Sequence, residues 1–160
     1  MTPFVSVIIP CYNHGIYLES TINSILQQTW QEMEIIVVDD GSDSATVEIL
    51  QNITHSRVRV IYQENGKTSK ARNTGFKNSS GNYILSIDAD DLVDRSFLEK
   101  GLSILESNPS IGVVSSWGNC FGHSNYLWMP SGGGIEYFLE DINCSAFALT
   151  RREIWQSNGG

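Results

Sequence analysis

The chain has 160 residues, 41% of them hydrophobic, and its 18 acidic against 10 basic side chains give a formal charge of −8. This length suits one domain with a buried core. The acidic balance argues against a broad nucleic-acid surface, because such surfaces neutralise phosphates with clustered Lys and Arg. No apolar run approaches the roughly 20 residues of a membrane span, and the start does not resemble a signal peptide. We therefore expect a single cytoplasmic domain without a nucleic-acid partner.

Four short apolar runs predict β-strands, over residues 4–10, 33–40, 57–62 and 82–88. Each run is nearly continuous rather than alternating, which is typical of strands covered on both faces.

Helical periodicity follows each of these strands. The clearest buried stripe comes first and consists of Leu18, Ile22, Ile25 and Leu26. Further helices are expected after Gly41, over residues 68–77, and after Asp94, which is the candidate N-cap of the fourth helix. Alternating strands and helices predict right-handed βαβ units and therefore an α/β fold with a Rossmann-like, doubly wound, mostly parallel sheet and helices on both faces.

The pattern changes after Pro109. Residues 111–117 and 121–129 predict strands, residues 131–134 a glycine-rich loop, and residues 150–156 a short helix. No linker interrupts this part of the chain, so one domain over residues 1–160 is expected.

Three of the predicted strands end in polar residues. These ends are Pro10-Cys11-Tyr12-Asn13, Asp39-Asp40-Gly41-Ser42 and Asp88-Ala89-Asp90-Asp91. In an open α/β sheet the ligand crevice lies beyond the carboxyl ends of the strands, where the strand order reverses. We expect the three segments to meet there, although Asn13 has an alternative role in closing the turn after the first strand.

The aspartates Asp88, Asp90 and Asp91 predict a metal site. Three crowded carboxylates repel one another unless a cation lies between them. Mg²⁺ or Mn²⁺ takes one or two protein carboxylates and completes its shell with water and substrate phosphates, which suits a site that binds a diphosphate. The alternative is that these acids cap a helix or lie in a solvated turn, which is the commoner fate of an isolated Asp-x-Asp.

The end of the second strand indicates a nucleobase site. A carboxylate of Asp39 or Asp40 accepts a hydrogen bond from a ring N–H, and Tyr12 offers a flat face for stacking. The alternative is ordinary Asp-Gly-Ser turn chemistry in which Ser42 or Asp43 caps the second helix.

Four of the ten basic residues lie close together, namely Lys67, Lys70, Arg72 and Lys77. Arg72 is the candidate for phosphate, because its planar fork matches phosphate oxygens and because Gly66 allows a tight turn before it. Lys67 is a further nucleotide candidate, whereas Lys70 and Lys77 fit a solvated helix face.

Six segments, in order and spacing, resemble the family 2 glycosyltransferases of the GT-A fold. They are Val5-Ser6-Val7-Ile8-Ile9-Pro10-Cys11-Tyr12-Asn13, Ser24-Ile25-Leu26-Gln27-Gln28-Thr29, Glu34-Ile35-Ile36-Val37-Val38-Asp39-Asp40-Gly41-Ser42, Glu64-Asn65-Gly66, Ala71-Arg72-Asn73-Thr74-Gly75 and Asp88-Ala89-Asp90-Asp91. The match extends over about residues 4–94, and six segments in register are far more specific than any one of them.

The resemblance implies a UDP-sugar site with Mn²⁺ or Mg²⁺. Tyr12 and Asp40 would hold the uracil ring, and Asp39 and Arg72 would support the nucleoside and phosphates. The nucleotide candidates are Pro10, Tyr12, Asn13, Asp39, Asp40, Lys67, Arg72 and Asp90, and the metal candidates are Asp88, Asp90 and Asp91.

The resemblance also implies the reaction. The sugar passes with inversion to a hydroxyl of a saccharide or glycolipid acceptor, as in polysaccharide or glycoconjugate synthesis. The metal stabilises the departing diphosphate, and a carboxylate removes the acceptor proton. Residues 1–108 correspond to the donor half, and residues 109–160 to the start of the acceptor half of a truncated GT-A domain.

The family's base is expected beyond Gly160, so none of Glu136, Glu140 and Asp141 is assigned as base. We accordingly expect donor binding with little or no transfer. A longer parent chain would allow association with the inner face of a membrane.

Two alternatives are weighed against this prediction. A phosphatase with an Asp nucleophile needs Thr or Val soon after its second Asp and a downstream Lys, whereas here Leu92 follows Asp91 and the only later Lys is Lys100. The other alternative is a non-catalytic nucleotide-binding module of the same fold.

Overall fold

The computed structural model describes residues 5–130 and 147–158, in which strands and helices alternate over most of the chain. Its strands are β1 (Val5–Cys11), β2 (Met33–Asp39), β3 (Val58–Tyr62), β4 (Tyr83–Ser86), β5 (Val113–Ser115), β6 (Gly118–Cys120), β7 (Tyr126–Trp128) and β8 (Ala148–Arg151). Its helices are α1 (Gly15–Leu26), α2 (Ser44–Gln51), α3 (Lys67–Lys77), α4 (Phe97–Ser107) and α5 (Arg152–Ser157). Among the described residues, no helix combines the length and apolar character needed to cross a bilayer.

A six-stranded sheet forms the centre of the fold, in the order β3-β2-β1-β4-β8-β5. The first four strands are parallel, and β8 runs antiparallel to both of its neighbours. From β1 the chain moves outward through β2 to β3 and then returns to place β4 on the other side of β1. The strand order therefore reverses between β1 and β4, and the predicted mostly parallel, doubly wound sheet is confirmed.

Each face of the sheet packs against helices. Val7 and Ile9 of β1 belong to a large buried cluster that includes Leu18 of α1 and Leu98 of α4. On the other face, Ala71 of α3 packs with residues of β2 in a second cluster. Because successive side chains of a strand alternate between faces, burial of both sets explains why these strands are apolar throughout.

The second half of the chain departs from prediction. The helix expected over residues 150–156 begins only at Arg152, and the residues before it form β8. This strand lies between β4 and β5, where Leu149 is completely buried. Its four residues show no local periodicity, so only their pairing with β4 reveals a strand.

The two strands predicted over residues 111–117 and 121–129 are shorter, as β5 and β7. The unpredicted strand β6 pairs antiparallel with β7 in a separate two-stranded sheet. The loop predicted over residues 131–134 lies outside the described residues, as do Glu136, Glu140 and Asp141.

The helix caps follow prediction at one helix and not at another. Asp43, one of the two alternatives for this role, is the N-cap of α2 and accepts a hydrogen bond from the Thr46 N–H at 2.8 Å. Asp94 is not the N-cap of α4, because Ser96 holds that position. The Asp94 carboxylate instead accepts from the Ser96 N–H at 3.0 Å and from the Ser96 hydroxyl at 2.7 Å, which closes the turn before the helix.

Candidate functional site

A cavity of about 390 Å³ lies at the carboxyl ends of β1, β2 and β4. Its lining residues are Pro10, Cys11, Tyr12, His14, Asp40, Thr68, Ala71, Asp88, Ala89 and Asp90. This is the point at which the strand order reverses, and in open α/β sheets such a point is the usual place for a ligand. The three polar strand ends therefore meet as the sequence predicts.

Five of the predicted site residues line the cavity: Pro10, Tyr12, Asp40, Asp88 and Asp90. The Tyr12 side chain is 52% exposed, so its ring has a face available to a planar ligand. The remaining predicted residues, Asn13, Asp39, Lys67, Arg72 and Asp91, are not part of the lining.

Asp40 is 3% exposed and held from several sides. Its N–H donates to the Cys11 carbonyl at 2.8 Å, and its carbonyl accepts from Asn65 Nδ2 at 2.9 Å. Its Oδ1 atom accepts from Gln63 and from the Gly66 N–H. The segment after β3 therefore fixes this carboxylate at the wall of the cavity.

Asn13 and Asp39 organise the turns beside the cavity. Asn13 has a φ of 58°, its N–H donates to the Ser42 hydroxyl at 3.0 Å, and its Oδ1 accepts from the Asp43 N–H at 2.8 Å. The Asp39 carboxylate accepts from the Ser42 N–H at 3.2 Å. Asn13 therefore ties the end of β1 to the turn after β2, and the Asp39 side chain closes that turn, which agrees with the alternative roles in turn chemistry.

The basic candidates Arg72 and Lys67 both belong to α3 but differ in their surroundings. The Arg72 guanidinium donates to Asp88 Oδ1 at 2.7 Å, and its Nε atom is buried without a hydrogen-bond partner among the described residues. Lys67 begins α3 with a φ of 71° and is exposed. Arg72 therefore neutralises the first aspartate of the metal candidates and retains an unused donor.

The other two metal candidates, Asp90 and Asp91, lie in the turn that follows β4. Asp90 Oδ2 is 3.7 Å from His14 Nδ1. Partial burial raises the pKa of Asp91, and the negative charges of Asp88 and Asp90 raise it further. A cation between these carboxylates would relieve that repulsion.

No group of three or more His, Cys, Asp or Glu side chains within residues 5–130 and 147–158 is placed to hold a metal ion. A Mg²⁺ or Mn²⁺ ion needs only one or two protein carboxylates when substrate phosphates and water complete its shell. The aspartates of this turn fit that requirement.

Several residues of the site are not among the sequence predictions. Cys11, His14, Thr68, Ala71 and Ala89 line the cavity. Cys11 and Ala89 adjoin predicted residues, so adjacency was an available signal for them. The same signal was available for His14, Thr68 and Ala71, which adjoin the predicted residues Asn13, Lys67 and Arg72. Burial raises the pKa of the Cys11 thiol, which keeps this group neutral.

Solved structures with a similar architecture identify the fold. S. aureus TarS, residues 1–349 in complex with UDP-GlcNAc, has a TM-score of 0.78 and 23% sequence identity, and the match covers 97% of this chain and 47% of that one. The mannosyltransferase PcManGT from Pyrobaculum calidifontis, in complex with GDP-Man and Mn²⁺, has a TM-score of 0.76 and 22% identity over 100% of this chain and 48% of that one. The fold is the GT-A fold of glycosyltransferases.

The model of the family described as "Glycosyl transferase family 2" matches residues 6–157, and the chain belongs to that family. Glycosyltransferase GlyA of Streptococcus pneumoniae serotype 4 is 42% identical, over 84% of this chain and 18% of that protein. Glycosyltransferase GlyG of the same organism is 37% identical, over 100% of this chain and 52% of that protein. The chain thus spans about half or less of the length of these relatives.

Proposed function

We propose that this chain binds a nucleoside diphosphate sugar, with UDP as its nucleotide, in the cavity between β1, β2 and β4. The observation that carries the proposal is the meeting of an exposed aromatic ring, Tyr12, a buried carboxylate, Asp40, and the acidic turn from Asp88 to Asp91 at one edge of the sheet. The ring suits a base face, the carboxylate suits a base N–H, and the acidic turn suits a cation bound to phosphates.

A divalent metal is part of the proposal. Asp90 and Asp91 would hold it, and when bound it would neutralise charge on the diphosphate as the sugar departs. Arg72 already pairs with Asp88, and this pairing leaves fewer uncompensated carboxylates beside an incoming anion. Arg72 is the proposed phosphate donor, because its planar guanidinium lies against Asp88, which lines the cavity.

For the whole protein we propose transfer of the sugar, with inversion, to a hydroxyl of a saccharide or glycolipid acceptor. The expected proton acceptor is a carboxylate on the acceptor side, and no described residue is assigned that role. Support for this part comes from family membership and from relatives that are glycosyltransferases.

Titration calorimetry with UDP, with and without Mn²⁺, tests the donor site. We expect binding that requires Mn²⁺ and that Tyr12→Ala weakens by about tenfold, because stacking on an aromatic ring contributes about 1–3 kcal/mol per base. Asp91→Ala should strongly weaken UDP binding in the presence of Mn²⁺, because it removes a metal ligand.

The matched control is Tyr126→Ala, which truncates a comparably exposed tyrosine of the separate two-stranded sheet. UDP affinity should be unchanged in this variant. Absence of UDP binding by the unaltered chain, with or without Mn²⁺, would refute the proposed donor site.

A further inference from the structure

A short series of hydrogen bonds behind the cavity wall, which we call the Asp40 relay, joins Asp40, Gln63 and Thr74. Asp40 Oδ1 accepts from Gln63 Nε2 at 2.6 Å and from the Gly66 N–H at 2.8 Å. Gln63 Oε1 accepts in turn from the Thr74 hydroxyl at 2.6 Å. The relay therefore runs from α3 through the end of β3 to the carboxylate at the end of β2.

The chemistry of these groups gives the relay one direction. A carboxylate only accepts hydrogen bonds, so Gln63 must turn its NH₂ group toward Asp40. The carbonyl oxygen of the same amide then faces Thr74, whose hydroxyl has a proton to donate. The carboxylate sets the orientation of the amide, and the hydrogen bond from Thr74 adds to the stability of that orientation.

The relay also leaves one oxygen of Asp40 unused. The Gln63 side chain and the Gly66 backbone N–H both donate to Oδ1, and among the described residues no donor contacts Oδ2. Asp40 lines the cavity even though it is only 3% exposed. We infer that its second oxygen is the acceptor offered to a ligand in that cavity.

We propose that Gln63 and Thr74 are positioning residues that orient Asp40 to select nucleobases with a ring N–H. This inference rests on the proposed donor site. Uracil, thymine and guanine carry a proton on the ring nitrogen of their pairing edge, whereas the corresponding nitrogen of cytosine is an acceptor and repels a carboxylate. A site built for an N–H rejects an analogue that lacks it, because its own buried acceptor is left unpaired.

Calorimetry with UDP, CDP and inorganic pyrophosphate, each with Mn²⁺, tests the inference. We expect the unaltered chain to bind UDP at least about tenfold more tightly than CDP. Gln63→Met keeps a side chain of similar length but removes both hydrogen bonds, so UDP affinity should fall about tenfold, a typical effect for a hydrogen bond to a charged group. Pyrophosphate affinity should not change, since it does not use Asp40.

Thr74→Val keeps the shape of the side chain and removes only the hydroxyl. It should weaken UDP binding to a smaller extent than Gln63→Met and narrow the preference for UDP over CDP. If Gln63→Met does not fold, the UDP and CDP affinities of Thr74→Val test the inference instead. Gln51→Met, at an exposed end of α2, is the matched control and should bind all three probes as the unaltered chain does.

A double-mutant cycle separates positioning from a general structural role. In the Asp40→Ala background, Gln63→Met should cause no further loss of UDP affinity, because both changes act through the same carboxylate.

Additive losses, or an equal loss of pyrophosphate affinity, would overturn the inference. UDP binding that depends on Asp40 and is indifferent to both Gln63→Met and Thr74→Val would overturn it while leaving the proposed function intact. No UDP binding by the unaltered chain would contradict the proposed function and this inference with it.

Discussion

Glu34 shows how a single carboxylate can link distant segments. Its Oε1 atom accepts from the Ser6 hydroxyl at 2.7 Å, the Ser80 N–H at 2.7 Å and the Ser80 hydroxyl at 2.8 Å. Burial opposes ionisation of this group, but these hydrogen bonds and the nearby Arg59 charge outweigh it and lower the pKa of Glu34. The ionised side chain thus stabilises the start of β1 and the turn before β4.

This lowered pKa predicts a pH dependence of stability. The stabilising contribution is fully present above the unfolded value near 4.5 and is lost as the pH falls through the lower folded pKa. Glu34→Gln should reduce the free energy of unfolding by about 1 kcal/mol at neutral pH. This difference between the variant and the unaltered chain should become smaller as the pH falls below the unfolded pKa near 4.5.

Urea unfolding over a pH series measures this difference. Glu32→Gln, at an exposed carboxyl two residues earlier, is the matched control and should leave the free energy of unfolding nearly unchanged at every pH. A deficit for Glu34→Gln that is constant down to acidic pH would show that Glu34 titrates alike in the folded and unfolded chain.

At the scale of the element, the close approach of α3 to the sheet depends on Gly75. A Cβ atom at this position would lie 2.4 Å from Ile8 Cγ2, and Ile8 is completely buried. The same packing brings Thr68 and Ala71 to the cavity and Thr74 to Gln63. A small residue on one helix therefore affects both the core and the site.

Gly75→Ala should destabilise the fold by about 1–3 kcal/mol, the usual cost of overpacking a core. This cost opposes the gain of about 1 kcal/mol in helix propensity, so net destabilisation means that the clash dominates. Thermal and urea unfolding measure it, with Ser69→Ala at an exposed position of α3 as control. Ile8→Ala removes the clashing atom, so the two changes together should cost less than their sum, and strict additivity would contradict the contact.

For the whole molecule, Arg151 of β8 connects the late strands to the early ones. Its guanidinium donates to the Ile111 carbonyl at 2.9 Å, to the Tyr83 hydroxyl at 2.9 Å and to the Leu105 carbonyl near the end of α4. Tyr83 begins β4, so these hydrogen bonds lie at the amino end of that strand, whereas the cavity lies at the carboxyl ends of the parallel strands. Arg151 contributes to holding β8 in the sheet without contact with the candidate site.

Arg151→Met should therefore lower stability by about 2 kcal/mol or more, because several charge-assisted hydrogen bonds are lost. Arg151→Lys should restore little, since an ammonium cannot reach three separated acceptors as a planar guanidinium does. UDP affinity, measured by calorimetry at a temperature where the variants are folded, should remain that of the unaltered chain. A large loss of UDP affinity would mean that the amino ends and the carboxyl ends of the strands are energetically coupled.

Much of this architecture follows from local patterns in the sequence. The apolar runs of β1 to β4 and the stripe of α1 identify the parallel sheet, and the polar residues after those strands identify the edge that holds the site. The sheet and the position of the site can be predicted because the periodicity of a buried strand or helix depends only on neighbours within a few residues.

The remaining features depend on contacts between residues far apart in the chain, and only the tertiary structure decides them. β8 is a strand because β4 and β5 pair with it, and Arg72 lies on Asp88 because α3 packs against β1, the strand next to β4. Asp40 is oriented by Gln63 and Thr74, which lie 23 and 34 residues later in the chain. Strand pairing, helix packing and hydrogen-bond direction depend on residues that are distant in the sequence. Composition and residue spacing alone therefore do not predict them.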